Sequence, residues 1–279
     1  MVYYSGRHSM NCQPLKKMKA YLISSYAYHP KNPGDHQAMF LHRFLISCSI
    51  AGAFAALTGA DGDGFTPLFD GKTLEGWESK GGKANYRVED GAIVGKTVPD
   101  TANSFLCTKK VYGDFVLEYE FRCDAELNSG VQIRSSAHDK EITYEVGGKK
   151  ISVPAGRVHG YQVEIDPDKP DRAWVGGIYD EGRRGWLYPG PAGGDEKKFT
   201  EAGKRLYKKG EWNKVRVEAI GSRIKTWLNG EARAELKDDM TLKGFIALQV
   251  HGVGARKEPL EVRWRGLRIK EIAAKEGGK

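Results

Sequence analysis

Apolar and polar residues alternate one for one along much of the chain beyond position 85. From Phe115 to Arg122, the residues Phe115, Leu117, Tyr119 and Phe121 fall on one side while Glu118, Glu120 and Arg122 fall on the other, because successive side chains leave opposite faces of a pleated strand. The same period sets Val131 and Ile133 against Gln132 and Arg134, and Tyr161, Val163 and Ile165 against Gln162, Glu164 and Asp166. It returns near the end, with Ile246, Leu248 and Val250 opposite Ala247, Gln249 and His251. Strands are also expected at 86–89 and 92–95 around Asp90-Gly91, at 105–108, at 142–146 and 149–153, at 174–179, at 212–220 and 223–229, at 231–236 and at 260–269. The segments 105–108 and 115–123 read as a hairpin about Tyr112-Gly113-Asp114. No segment shows an apolar stripe of helical period, and the 35 glycines mark turns throughout. Strands this short, separated by turns this often, imply an all-β chain folded as a two-sheet antiparallel sandwich or jelly roll.

Several polar faces are richer than contact with water requires. Collected, they hold Glu118, Glu120, Arg122, Gln132, Arg134, Gln162, Glu164, Asp166, Gln249 and His251, and these groups converge on one surface if their strands are neighbours. Carboxylates and amides beside the aromatics of 174–188 suit a sugar, whose hydroxyls take planar polar partners and whose C–H faces stack on rings. Trp186 is a candidate stacking platform. Against this stand blander readings: a wet strand face for Glu118/Glu120/Arg122, a cross-strand ion pair for Arg134 and Glu164, and a structural histidine at 251.

The formal charge of +8 is concentrated at the start. Residues 1–60 hold six Lys/Arg and one Asp/Glu, leaving 38 basic and 35 acidic residues in the rest. No basic run interleaved with aromatics occurs downstream, so nucleic acid is not an expected partner. From Met39 the chain reads as a secretory signal: His42 and Arg43, an apolar stretch from Phe44 to Leu57, and the small residues Thr58-Gly59-Ala60. The apolar stretch is too short for a comfortable membrane span. The expected organisation is therefore an upstream extension or misassigned start at 1–38, a signal peptide at 39–60, a sandwich domain at 61–273 and a tail at 274–279. The mature protein is expected to be exported to periplasm or medium. Leu45-Ile46-Ser47-Cys48 is like a lipoprotein box but follows almost no apolar run, which ranks lipidation below plain secretion. Of four cysteines, Cys107 and Cys123 lie beyond the signal. They read as two buried thiols, and no cluster has zinc spacing, so no cofactor is expected. Asp166-Pro167-Asp168-Lys169-Pro170-Asp171 has oxygen ligands enough for calcium, but not in EF-hand spacing.

The phrases GFTPLFDGKTLEGW, EYEFR, NSGVQIR, GYQVEID, GGIYDEGRRGW, GEWNKVRVEAIGSRIKTWLNG and GFIALQVHG, in this order, resemble the family once called a domain of unknown function and now named 3-keto-disaccharide hydrolase. The resemblance runs from about Gly64 to Ile272. It implies a concanavalin-A-like lectin/glucanase jelly roll and an activity of 3-keto-glucoside 1,2-lyase or 3-keto-2-hydroxyglucal hydratase type. It also implies a sugar oxidoreductase elsewhere that makes the ketone. By motif it carries over Glu120, Asn128, Arg134, Gln162, Glu164, Asp166, Tyr179 and His251.

Such a substrate asks for a base near C2, a cation or donor near the C3 oxygen and an acid near the leaving oxygen. The expected assignment is Glu164 or His251 as base, Arg134 at the developing oxyanion, and Glu120 or Asp166 as acid. Asn128, Gln162, Tyr179, Trp186 and Gln249 are expected to bind substrate. The alternatives are a lectin-like module that binds glycans without turnover, and a classical two-carboxylate glycosidase, whose ExDxxE run is missing.

Overall fold

The computed structural model describes residues 62–166 and 172–273. The expected extension, signal peptide and tail lie outside the described residues, as does most of the acidic turn after Asp166. Seventeen strands and one helix follow in order: β1 Thr66–Pro67, β2 Trp77–Gly81, β3 Asn85–Glu89, β4 Ala92–Lys96, β5 Ser104–Thr108, β6 Phe115–Cys123, β7 Ser129–Ser136, β8 Ile142–Val146 and β9 Lys149–Val153. Then come β10 His159–Ile165, β11 Ile178–Glu181, β12 Gly185–Tyr188, α1 Glu196–Leu206, β13 Asn213–Ile220, β14 Arg223–Leu228, β15 Glu231–Lys237, β16 Phe245–Val250 and β17 Glu261–Glu271.

Two large antiparallel sheets form the sandwich. One runs β15-β14-β13-β6-β17-β4-β3 with β1 on β17, the other β12-β11-β10-β7-β16-β5-β2, and β8-β9 is a separate hairpin. The apolar sides of the alternating strands meet between the sheets. Phe115, Leu117, Tyr119 and Phe121 of β6 join Val131 and Ile133 of β7, Tyr161, Val163 and Ile165 of β10, and Ile246, Leu248 and Val250 of β16 in one core, none more than 1% exposed. Cys107 and Cys123 are buried and unpaired.

Three expectations are corrected. Segments 105–108 and 115–123 do not form a hairpin: β5 pairs with β2 and β16, whereas β6 pairs with β13 and β17 in the opposite sheet. The chain crosses between sheets at Lys109–Asp114, where Tyr112 bridges to Gly244. The strand expected at 174–179 begins only at Ile178, since Trp174–Gly177 forms a turn closed by a hydrogen bond from Gly177 N–H to the Trp174 carbonyl.

The third correction is α1, which the periodicity did not announce. Its inward stripe is only Phe199, Gly203 and Leu206, and glycine breaks the apolar signal. Asp195 caps the N-terminus by accepting from the Lys198 N–H. Gly203 is required by space: a Cβ there would lie 1.8 Å from the Ala173 carbonyl oxygen. Arg233 reaches into the same seam and donates to the Val175, Phe199 and Ala173 carbonyls.

Candidate active site

The outer face of the seven-stranded sheet carries the polar side chains of β10, β7 and β16. Glu164 stands opposite Gly130, and Gly130 in turn opposite Gln249. In the next row Ala247, Gln132, Gln162, Tyr179 and Trp186 follow one another across five strands. Directly paired residues share a face, so this register places the groups together. Gly130 makes room for the arrangement: a Cβ there would lie 2.5 Å from Cγ and Cδ of Gln162, whose side chain lies across it.

A cleft of about 410 Å³ opens on this face, with Glu164 among its walls. Glu164 is only 3% exposed. Its Oε1 accepts from Asn128 Nδ2 at 2.5 Å and its Oε2 from Gln162 Nε2 at 2.8 Å. Burial pushes its carboxyl up from the ordinary 4.5 to about 7; the two amide hydrogen bonds and Arg172 oppose the rise, and Asp166 adds to it. A carboxyl with this pKa is near half ionised at neutrality, the condition under which an acid/base group serves best.

Cations and rings complete the walls. Arg157 donates to Glu181 at 2.6 Å. Arg172 donates to Asp166 at 2.5 Å and lies over the rings of Trp174 and Trp186, 5.2 and 5.4 Å from their centroids. Tyr179 meets Trp186 edge to face at 5.3 Å, and burial with the nearby Glu181 and Glu164 carboxylates raises its phenol above the ordinary range. Asn103 and His251 close the rim. His251 is exposed, with Nδ1 2.7 Å from the Gly252 carbonyl. A carbonyl only accepts, so Nδ1 carries the proton and Nε2 is the nitrogen free to exchange one. Beyond Asn128 and His251 lies a second lobe of about 370 Å³, bordered by Asp166, Leu127, Val253, Leu260 and the Arg256–Glu126 ion pair.

Of the residues expected from sequence, Glu164, His251, Asn128, Tyr179 and Trp186 line the one cleft, and Asp166 borders the adjoining lobe. Gln162 and Gln249 lie beneath the surface, 2% and 0% exposed. Among the described residues neither polar atom of the Gln249 side chain has a hydrogen-bond partner.

Two expected residues are elsewhere. Glu120 belongs to the other sheet, on its outer face, paired with Arg265 at 2.5 Å. Glu118 on the same face is held by Arg216 and Arg268, so the polar side of β6 carries an ion-pair network, buried at Glu118 and open to solvent at Glu120. Arg134 is fully buried away from the cleft. It donates to the carbonyls of Gly113 and Gly221 and to Asp114, at 3.0, 2.6 and 2.9 Å. The cause is a β-bulge: the register of β7 shifts against both β10 and β16 around Arg134, which has a φ of +47°. One inserted residue ends the period-two alternation and re-aims the side chain.

Sequence reasoning missed Asn103, Arg157, Arg172 and Glu181. Arg157 and Arg172 flank β10 outside its alternating run, and Asn103 precedes β5. Arg183 and Arg184, inside GGIYDEGRRGW, are structural: both hold the buried Asp180, and Arg184 also holds Asp238. Among the described residues no group of three or more His, Cys, Asp or Glu is placed to hold a metal ion, and no helix is long and apolar enough to cross a membrane.

A family model described as a 3-keto-alpha-glucoside-1,2-lyase-like domain matches residues 64–270. No curated protein matches the chain. Among solved structures, a candidate glycosyl hydrolase of Parabacteroides distasonis is 23% identical, with a TM-score of 0.45 over 75% of this chain and 99% of its own. A Bacillus subtilis protein of unknown function with a galectin-like fold is 13% identical, with a TM-score of 0.46 over 71% and 90%. A carbohydrate-binding module from Bacillus subtilis is 14% identical, with a TM-score of 0.39 over 70% and 96%.

Proposed function

We propose, for a chain that belongs to the 3-keto-alpha-glucoside-1,2-lyase-like family, that it splits 3-keto-glycosides by elimination across C1 and C2 of the oxidised sugar, with Glu164 as the base. The observation that carries this reading is a buried carboxyl on the cleft wall, held by two amides and brought to about 7. The C3 ketone acidifies the C2 proton, which passes to Glu164. The C2–H pair forms the C2–C3 double bond of an enolate, and its oxygen takes the charge. The enolate then collapses: C3=O re-forms, C1=C2 forms, and the C1–O bond breaks with its pair on the leaving oxygen. Addition of water across C1=C2 completes a net hydrolysis.

With Arg134 outside the cleft, the cation for the enolate oxygen is Arg157 or Arg172, both on its walls. His251, on the boundary between the two lobes and protonated at both ring nitrogens, supplies the proton to the leaving oxygen through Nε2; it takes one back from the water that adds at C1, while Glu164 returns its proton to C2. Tyr179 and Trp186 present ring surface to the pyranose. A sugar oxidoreductase must supply the ketone. The segment Met39–Ala60 supports an exported enzyme, and a native N-terminus near Asp61 is the expected result of mass spectrometry.

Glu164 must be ionised to act, so kcat/KM is expected to rise with pH through about 7. The deciding experiment incubates the protein with a 3-keto-disaccharide and with the unoxidised parent and follows release of free sugar. Release from the oxidised substrate alone is expected. Binding without release would leave a lectin-like module, and release from the parent would mean a classical glycosidase.

A further inference from the structure

Glu164 is the end of a longer chain of buried polar groups. Ser135 Oγ donates to Gln132 Oε1 at 2.8 Å, Gln132 Nε2 donates to Gln162 Oε1 at 2.6 Å, and Gln162 Nε2 donates to Glu164 Oε2 at 2.8 Å. Ser135, Gln132 and Gln162 are each at most 2% exposed, and Ser135 and Gln132 are not among the cleft walls. Apolar neighbours, Phe105, Cys107, Val158, Phe245 and Ala247, form a cluster on the same sheet. An apolar residue at 132 would fill this space but would leave the buried Gln162 Oε1 without its donor, so the glutamine serves the polar row rather than the apolar cluster.

Amides and hydroxyls both donate and accept, so a row built only of them can run in either direction. In the direction observed, every N–H points toward Glu164, which suits a carboxylate. The reverse direction uses the same residues, with the nitrogen and oxygen of each amide exchanged. The Glu164 O–H donates to Gln162 Oε1, Gln162 Nε2 donates to Gln132 Oε1, and Gln132 Nε2 donates to Ser135 Oγ. The Ser135 proton is then released from Gln132, and the Ile133 carbonyl, 3.1 Å away, accepts it. Two amide half-turns and one hydroxyl rotation connect the two states, with no bond broken other than the transfer of the C2 proton itself.

We propose that Ser135 and Gln132 are positioning residues which, through Gln162, form a reversible hydrogen-bond relay that supports Glu164 both as carboxylate and as carboxylic acid. A base that has taken a substrate proton in a buried site needs an acceptor for it, and reversal of the relay supplies one. The other charged and titratable groups around Glu164 are Asp166 at the end of its own strand, Arg172 beyond, Tyr179 and Glu181 on β11, Arg157 before β10 and His251 after β16. From β7 only the relay and Asn128, just before it, reach the carboxyl. The catalytic use of the relay rests on the base role proposed for Glu164, whereas its effect on the carboxyl does not.

The test separates the two. The midpoint of the Glu164 carboxyl titration is read by carbon NMR in the protein without substrate, and kcat and KM are measured across pH with a 3-keto-disaccharide, for the wild type, Gln132→Met and Ser135→Ala. In Gln132→Met nothing fixes the Gln162 amide with its N–H toward the carboxylate, whereas the acid form still reaches Gln162 Oε1 once the freed amide turns, so the carboxylate loses more support than the acid. The midpoint is expected to rise by about one pH unit, a tenfold change in the ionisation equilibrium. The acid limb of kcat should move with it, while KM stays. Ser135→Ala is expected to shift both in the same direction by less. A midpoint unmoved in both folded variants overturns the relay, as does an equal loss of kcat at every pH. A shifted midpoint in a protein without turnover would keep the relay and sink the lyase reading.

Discussion

Replacing Glu164 by glutamine should make the protein more stable and inactive, and the gain in stability should depend on pH. The folded carboxyl lies at about 7 against 4.5 in the ordinary, solvated state. Below 4.5 the group is protonated in both folded and unfolded chains and contributes nothing to the balance. Between 4.5 and 7 the unfolded chain releases the proton while the folded one keeps it, so stability is lost as pH rises. Above 7 the loss is complete. At about 1.4 kcal/mol for each pKa unit, the full penalty is about 3 kcal/mol.

In Glu164→Gln the introduced amide is neutral at every pH and escapes this penalty. It also fits the relay, because it donates to Gln162 Oε1 once Gln162 has turned. The assay is urea unfolding of both proteins at pH 4.5, 6 and 8, using the difference between them so that all other titrations cancel. The difference should grow from near zero to about 3 kcal/mol in favour of the variant, with release of sugar abolished. A difference that stays flat with pH, or a variant weaker at pH 8, would show that no buried charge is being held there, and the base assignment would fall with it.

Arg134→Leu is expected to lower stability by roughly 3–5 kcal/mol, since it strips partners from Asp114 and two carbonyls, while turnover per folded molecule, normalised by native-state titration, is unchanged. Gly130→Ala should displace Gln162, which its Cβ would overlap; overpacking of about 1–3 kcal/mol is expected, with a larger fall in kcat than chemical unfolding accounts for. Glu120→Gln, on the far sheet and paired with the half-exposed Arg265, should alter stability by no more than about 0.5 kcal/mol and leave sugar release at the wild-type rate.

The placement of Glu120 and Glu164 marks where local pattern stops being informative. Both sit on the polar side of a cleanly alternating strand. One faces solvent in an ion-pair network on the outer face of the sheet that holds β6, and the other lines the cleft on the opposite sheet. Nothing in either stretch distinguishes them, because the sheet a strand joins is set by pairing with distant segments. Arg134 failed for a different reason: a single bulged residue reverses the side-chain direction that the surrounding sequence implies.

The chain's own order of residues determined the strands, their inward faces and the family phrases, since strand period and turn chemistry are local properties of a few consecutive side chains. It also placed Gln162 and Glu164 among the polar groups able to converge on one surface. Only the tertiary structure decided that β10, β7 and β16 are neighbours, that β6 is not among them, and that Arg157 and Arg172 supply the cleft's cations. It alone aligned Ser135, Gln132, Gln162 and Glu164 into one hydrogen-bonded row. Register across strands is fixed by the packing of the whole sandwich, and a buried carboxyl acquires its unusual proton affinity from that enclosure.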